Sequence, residues 1–258
     1  MTPIGTVQLD YKYSFYRGEK CKQCGLAVPV FGLGYLAESG GGAFEEKGLR
    51  PTDNVTSKKL LNKFYLDGDN EALNYFVERF VLLYEERFKG DINFDYVGIV
   101  PSHKKGDYNQ NLAKLGRALA ERLGITFKLN LIERTRTTQE QHKINNKSDR
   151  IANVKDSMKV NGDVKDKNIL IVDNTVVTGA HALEIFEKLR DAGAKWIVFF
   201  CIALGNKAKK DDFDLNPSAN IKASEIITKW NWPKVDQQAR LLHKAEQKHE
   251  DLPKANPV

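Results

Sequence analysis

The chain has 258 residues, of which 41% are hydrophobic and 29% charged, with a net charge of +6 and a pI near 9.0. That size and mixture suit one α/β domain with additions and exclude a disordered or fibrous chain. The longest apolar run, Trp196 to Leu204, is too short to cross a bilayer. The positive charge is dispersed, with Lys207, Lys209 and Lys210 offset by Asp211, Asp212 and Asp214. Nucleic acid is therefore a secondary expectation as partner, and a polyanionic small ligand accounts for the charge as well.

Residues 1–90 read as an N-terminal irregular and helical module. Met1 to Asp10 carries neither the basic nor the apolar segment of a secretory leader, so a reducing cytoplasm is the expected setting. Gly40, Gly41 and Gly42 mark a turn. Cys21 and Cys24 have the spacing of half a zinc site, but the third cysteine is Cys201 and no histidine lies in the first hundred residues. Zinc would need distant ligands or a second chain, and a metal-free pair is the simpler reading. Helices are predicted over 56–66 and 69–89, the second with Leu73, Phe76, Val77, Phe80, Val81, Tyr84 and Phe88 on one core-facing stripe.

From Phe94 the pattern alternates. A strand is predicted over 94–101, a helix over 108–123, a strand over 126–132, a polar stretch over 133–150, a strand over 168–173, a helix over 180–192 and a strand over 195–204. Alternation of this kind predicts a parallel sheet with crossover helices. The polar stretch is long for an ordinary connection, and its cations Arg134, Arg136, His142, Lys143 and Lys147 suit a lid that closes over a negatively charged ligand. Residues 236–258 read as a surface helix, 237–246, and a tail. Trp230 and Trp232 precede it.

The segment Asn168 to Glu184 carries the chemistry. Ile169 to Val172 form the continuous apolar run of a buried parallel strand, and Asp173 stands where such a strand surfaces. Thr178, Gly179 and Ala180 then open a helix whose Leu183, Ile185, Phe186 and Leu189 face a core. Backbone N–H groups around residues 177–181 lack partners at such a helix start and attract an anion. Ligands gather at strand ends of this kind.

This segment resembles the nucleotide-binding motif of type I phosphoribosyltransferases. The stretches Val100-Pro101-Ser102-His103-Lys104-Lys105, Tyr108 to Ala113, Arg134 to Gln139, Gln141 and Arg150 to Val154 follow in the order seen in the ComF-like branch of that family. The resemblance covers about residues 95–204. It implies a parallel-sheet, Rossmann-like α/β core of phosphoribosyltransferase type over 91–235, behind the N-terminal extension. It implies binding of phosphoribosyl diphosphate with Mg²⁺, the ion held largely by ligand and water rather than by a protein metal motif. Asp173 and Asn174 would be the catalytic pair on the ribose hydroxyls, and Val177, Thr178, Gly179, Ala180 and His181 the 5′-phosphate cradle. Ser102, His103 and Lys104, with Arg134, Arg136 and Lys143 from the lid, would take the diphosphate. A homodimer is a frequent assembly in that family.

The chain also departs from the pattern. Asn174 stands where most members have a second acid, and Val177 replaces a hydroxyl-bearing residue, which removes negative charge from the ribose side and a donor from the phosphate side. His181 is either a protonated replacement donor or a solvated helix residue. Two functions follow: transfer of the phosphoribosyl group to an acceptor, or a catalytically weakened sensor of a sugar phosphate or nucleotide, such as an accessory factor in DNA handling. ComF-like proteins carry a second cysteine pair that this chain lacks.

Overall fold

The computed structural model describes residues 14–16, 28–37, 55–144, 146–204, 213–214 and 223. Cys21 and Cys24, the glycine turn at 40–42, Trp230, Trp232 and the helix expected over 237–246 lie outside these residues.

The apolar run after Asn168 forms β9 (Asn168–Val176), whose residues 169–173 are all buried. Its neighbours are β10 (Trp196–Leu204) and β5 (Tyr96–Ile99), both parallel to it. Beyond β5 lies the two-residue β6 (Thr126–Phe127), and beyond β10 lies β2 (Val30–Gly32), again parallel. Antiparallel β1 (Ser14–Tyr16) and β11 (Phe213–Asp214) extend that side, and β3 (Tyr35–Ala37) with β4 (Val55–Ser57) joins at the end of β10. The result is a mixed α/β protein with a mostly parallel central sheet, as the alternation predicts.

Two features within residues 1–90 belong to this same sheet and core. Phe31 on β2 packs edge-on against Phe88 at a centroid distance of 4.9 Å, and Phe88 in turn contacts Phe200 on β10 at 5.2 Å. The helix α1 (Lys58–Tyr65) buries Leu61 and Phe64, and α2 (Asn70–Arg87) follows the predicted stripe, burying Phe76, Val77 and Phe80. Asp69 starts α2 by accepting the Ala72 N–H at 2.8 Å. Asn109 does the same for α3 (Gln110–Leu123), accepting the Leu112 N–H at 2.9 Å, and Gly124 ends that helix in the left-handed region at φ 66°.

The region 126–160 departs from the predicted pattern. Instead of one strand over 126–132, the chain leaves the sheet after Phe127 and forms β7 (Ile132–Arg134), which pairs antiparallel with β8 (Met158–Val160) in a separate ribbon. Three-residue strands give too little alternation to register in the sequence. The polar stretch between them holds a single 3₁₀ turn, Gln141–Lys143, and a helix α4 (Lys147–Val154) that packs on α5 (Ala180–Asp191). Asn146 caps α4 by accepting the Asp149 N–H. β9 also runs three residues past Asp173, because residues 175 and 176 continue the ladder with Ala203 and Leu204. Among the described residues no helix is long and apolar enough to cross a membrane.

Candidate functional site

The site arises where two neighbouring strands stop at different heights. The last register pair of β5 and β9 is Ile99 with Val172, followed by one more bond from Val100 N–H to the Val172 carbonyl at 3.1 Å. Pro101 has no N–H to continue the ladder, so the chain turns away. β9 carries on beside β10 alone, and a cavity of about 810 Å³ opens along its freed flank. Residues 173–182 line it, joined by Pro101, Ser102 and His103 from the end of β5. Glu140, Gln141 and Arg150 enter from the polar stretch, and Tyr65, Asn109 and Leu112 from the helices.

Asp173 is 7% exposed, and its Oδ1 accepts the Asn174 N–H at 2.8 Å. Burial pushes its carboxyl up to about 7, against the opposing pull of the Asn174 and Thr175 amides. Asn174 Oδ1 accepts the Thr175 N–H at 2.8 Å, which leaves its Nδ2 without a protein partner among the described residues. Tyr65 shares this wall. Its phenol is pushed up to about 12, first by burial and then by the negative charges of Asp173 and Asp107.

Gly179 is the N-cap of α5, at φ 73° and ψ 4°, and no side chain caps the helix. Glycine reaches that conformation at the least cost, and residues 179–182 that follow the turn line the cavity. The Thr178 side chain does not cap the helix either. The first-turn amides of a twelve-residue helix thus open onto the cavity without a side-chain acceptor.

His181 differs from the protonated imidazole that the sequence allows. Burial, then Arg134 and His103, hold its pKa down to about 3, and its Nε2 lies 3.4 Å from Arg134 Nη2. A guanidinium can only donate, so this contact assigns Nε2 as acceptor and puts the ring proton on Nδ1.

Of the expected diphosphate residues, Ser102 and His103 line the cavity, and Lys104, Arg134, Arg136 and Lys143 do not. Arg134 is only 1% exposed. Its Nε donates to the Ser102 carbonyl at 2.8 Å and its Nη1 to Ser157 Oγ at 2.7 Å, so it braces the strand end against the β7–β8 ribbon and α5 instead of descending from a lid. Arg136 Nη2 is occupied by the carbonyls of Asn153 and Lys155, both at 3.0 Å, and Lys143 Nζ lies 3.3 Å from Glu140 Oε1. Lys104 is exposed at the loop surface. Glu140 also reaches His103, with Oε1 3.6 Å from Nε2.

The bracing role of Arg134 has a measurable consequence. Arg134→Ala leaves the Ser102 carbonyl and Ser157 without their donor and opens a hole in a packed wall, so we expect a loss of about 3–5 kcal/mol in urea unfolding. A loss below about 1 kcal/mol would show that the brace carries little.

Sequence reasoning left Arg150, Gln141 and Tyr65 out of the site. For Arg150 the signal was its place in the Arg150–Val154 stretch; for Tyr65 the helix stripe pointed only to packing. The fold and site together define an α/β protein with a cleft at the carboxyl ends of parallel strands, lined by a helix start that no side chain caps. No protein-family model matches the chain, and no curated protein matches it. Among solved structures, one described as the allosteric regulatory enzyme of purine biosynthesis is similar over 46% of this chain and 23% of its own, at 23% identity and TM-score 0.32. Another, phosphoribosylpyrophosphate synthetase from Mycobacterium smegmatis, is similar over 69% of this chain and 51% of its own, at 15% identity and TM-score 0.32. The chain spans about a quarter to a half of the length of these two proteins.

Proposed function

We propose that the cleft binds phosphoribosyl diphosphate and that the protein transfers the phosphoribosyl group to an acceptor, as a type I phosphoribosyltransferase of ComF-like kind. The observation that carries this reading is the uncapped start of α5 beside Asp173 in one cavity, an anion site next to a hydroxyl acceptor. The amides of residues 178–181 take the 5′-phosphate. Asp173 accepts from one ribose hydroxyl, and Asn174 Nδ2 donates to its neighbour.

In the reaction the bond from the anomeric carbon to the diphosphate oxygen breaks, the diphosphate leaves with that electron pair, and the acceptor forms the new bond and gives up a proton. Positive charge develops on the sugar as the bond loosens, and an ionised Asp173 stabilises it. Asp173 supplies a hard oxygen to the cavity, a donor that suits a magnesium ion carried by the ligand itself. When bound, the ion would neutralise the departing diphosphate.

Asn174 favours a second reading, a sensor that holds a sugar phosphate or nucleotide without turning it over, because a neutral amide gives the developing cation no charge. Asn174→Asp separates the two. A transferase held back at this position should release diphosphate at least about tenfold faster when the carboxylate is restored. A sensor should show no diphosphate release in either form, even with purified acceptor candidates.

A further inference from the structure

An acidic side chain stands in the wall of a cavity whose helix start suits an anion. Glu140 lines that cavity together with Ser102, His103 and Gln141. Its Oε1 lies 3.6 Å from His103 Nε2 and 3.3 Å from Lys143 Nζ, so one carboxylate oxygen meets two residues that the sequence assigns to a ligand's negative charge. Both contacts are partly open to solvent, with side-chain exposures of 32% for Glu140, 30% for His103 and 58% for Lys143. Ion pairs this open contribute little to stability, so the fold does not account for the acid. The same charge repels any anion that enters the cavity, where solvent screens it less than at an open surface.

The segment that carries Glu140 is held on both sides by bonds that do not involve its carboxylate. Ahead of it, Thr138 N–H donates to the His103 carbonyl at 2.9 Å. The Gln139 backbone exchanges two bonds with the Asn153 side chain, N–H to Oδ1 at 3.1 Å and Nδ2 to the carbonyl at 2.8 Å. After it, Gln141 Nε2 donates to the Arg150 carbonyl at 3.2 Å. The arrangement is not fully satisfied, because Gln141 Oε1 is buried with no hydrogen-bond partner among the described residues. A buried acceptor without a donor favours any rearrangement that supplies one, so the segment is poised to shift. We propose that Glu140 is an autoinhibitory side chain: its carboxylate stands in for a ligand's anion at the end of β5 and must leave His103 and Lys143 before the cleft fills. This regulation rests on the function proposed above for the identity of the ligand, whereas the competition itself needs only an anion. The cleft is biased toward ligands charged strongly enough to displace a carboxylate.

The test uses the full chain and calorimetric titration with inorganic pyrophosphate, with ribose 5-phosphate, and with phosphoribosyl diphosphate and Mg²⁺, on the natural protein, Glu140→Gln and Glu140→Ala. Removal of one opposing charge should tighten binding of pyrophosphate and of phosphoribosyl diphosphate at least about tenfold in both variants. Ribose 5-phosphate, anchored at the α5 start, should change less than about threefold. Both variants should melt with the natural protein, and if one fails to fold the other carries the comparison. The inference is overturned if neither variant binds pyrophosphate more tightly than the natural protein does, including the case in which none of the three binds it. A gain of equal size for ribose 5-phosphate also overturns it, because a general charge effect would then replace competition at His103. Tighter pyrophosphate binding in the variants, without binding of phosphoribosyl diphosphate by any of the proteins, upholds autoinhibition and removes the sugar reading. Phosphoribosyl diphosphate binding that is equally tight in all three proteins does the reverse.

Discussion

Asp173→Asn is expected to make the protein more stable at pH 8 and to weaken its hold on the ligand. The carboxyl of Asp173 titrates near 7 in the folded chain because burial disfavours its charge, against an ordinary value of 3.8. Between those values the folded state holds a proton that the unfolded state has released, so stability falls as pH rises through this window. Asparagine keeps the shape and the bond from the Asn174 amide but does not titrate. Natural protein and variant should therefore unfold at similar urea concentrations at pH 4, and at pH 8 the variant should be more stable, by at most about 4 kcal/mol. Parallel stability profiles from pH 4 to 8 would mean that this acid is not desolvated. The ligand side runs in the opposite direction: loss of a charged acceptor on the ribose should weaken binding at least about tenfold. A residue that costs stability in its ionised form and is needed for binding is the signature of a functional site.

Gly179→Val is expected to damage both the fold and the anion site. At φ 73° a β-branched side chain strains the backbone, at a cost of roughly 1–3 kcal/mol, and relief of the strain moves the amides that follow. We expect a lower melting temperature together with loss of sugar-phosphate affinity by more than about tenfold. Gly179→Asn is the control, because asparagine tolerates the left-handed region and its variant should retain most of both. Equal losses in the two variants would indicate that side-chain bulk, not backbone conformation, matters here.

Much of the central sheet was legible, because β9 and β10 are buried on both faces and read as continuous apolar runs, and because the stripe of α2 repeats at helical spacing. The 126–160 region was not. Its β7–β8 ribbon is three residues long on each side, and α4 has few apolar residues, so neither period rises above the polar background. In the site, residues contiguous in sequence were found together: Asp173 through His181 line one wall because one strand and one helix start carry them. The cations were harder to place. Arg134 and Arg150 are both arginines in a polar stretch, and only three-dimensional partners distinguish the one consumed by Ser102 and Ser157 from the one left open to the cavity. The state of His181 was equally hidden, since it depends first on burial in the folded chain and then on a guanidinium forty-seven positions away.

Calorimetric titration of the natural protein with phosphoribosyl diphosphate and Mg²⁺, repeated with ribose 5-phosphate and with free ribose, probes the cleft most directly. One ligand per chain should bind, ribose 5-phosphate should compete and free ribose should not, and Asp173→Asn should weaken the interaction. Absence of heat with both phosphorylated compounds, or binding that the Asp173 and Gly179 variants leave untouched, would contradict the assignment of the α5 start and Asp173 as the ligand's anchors.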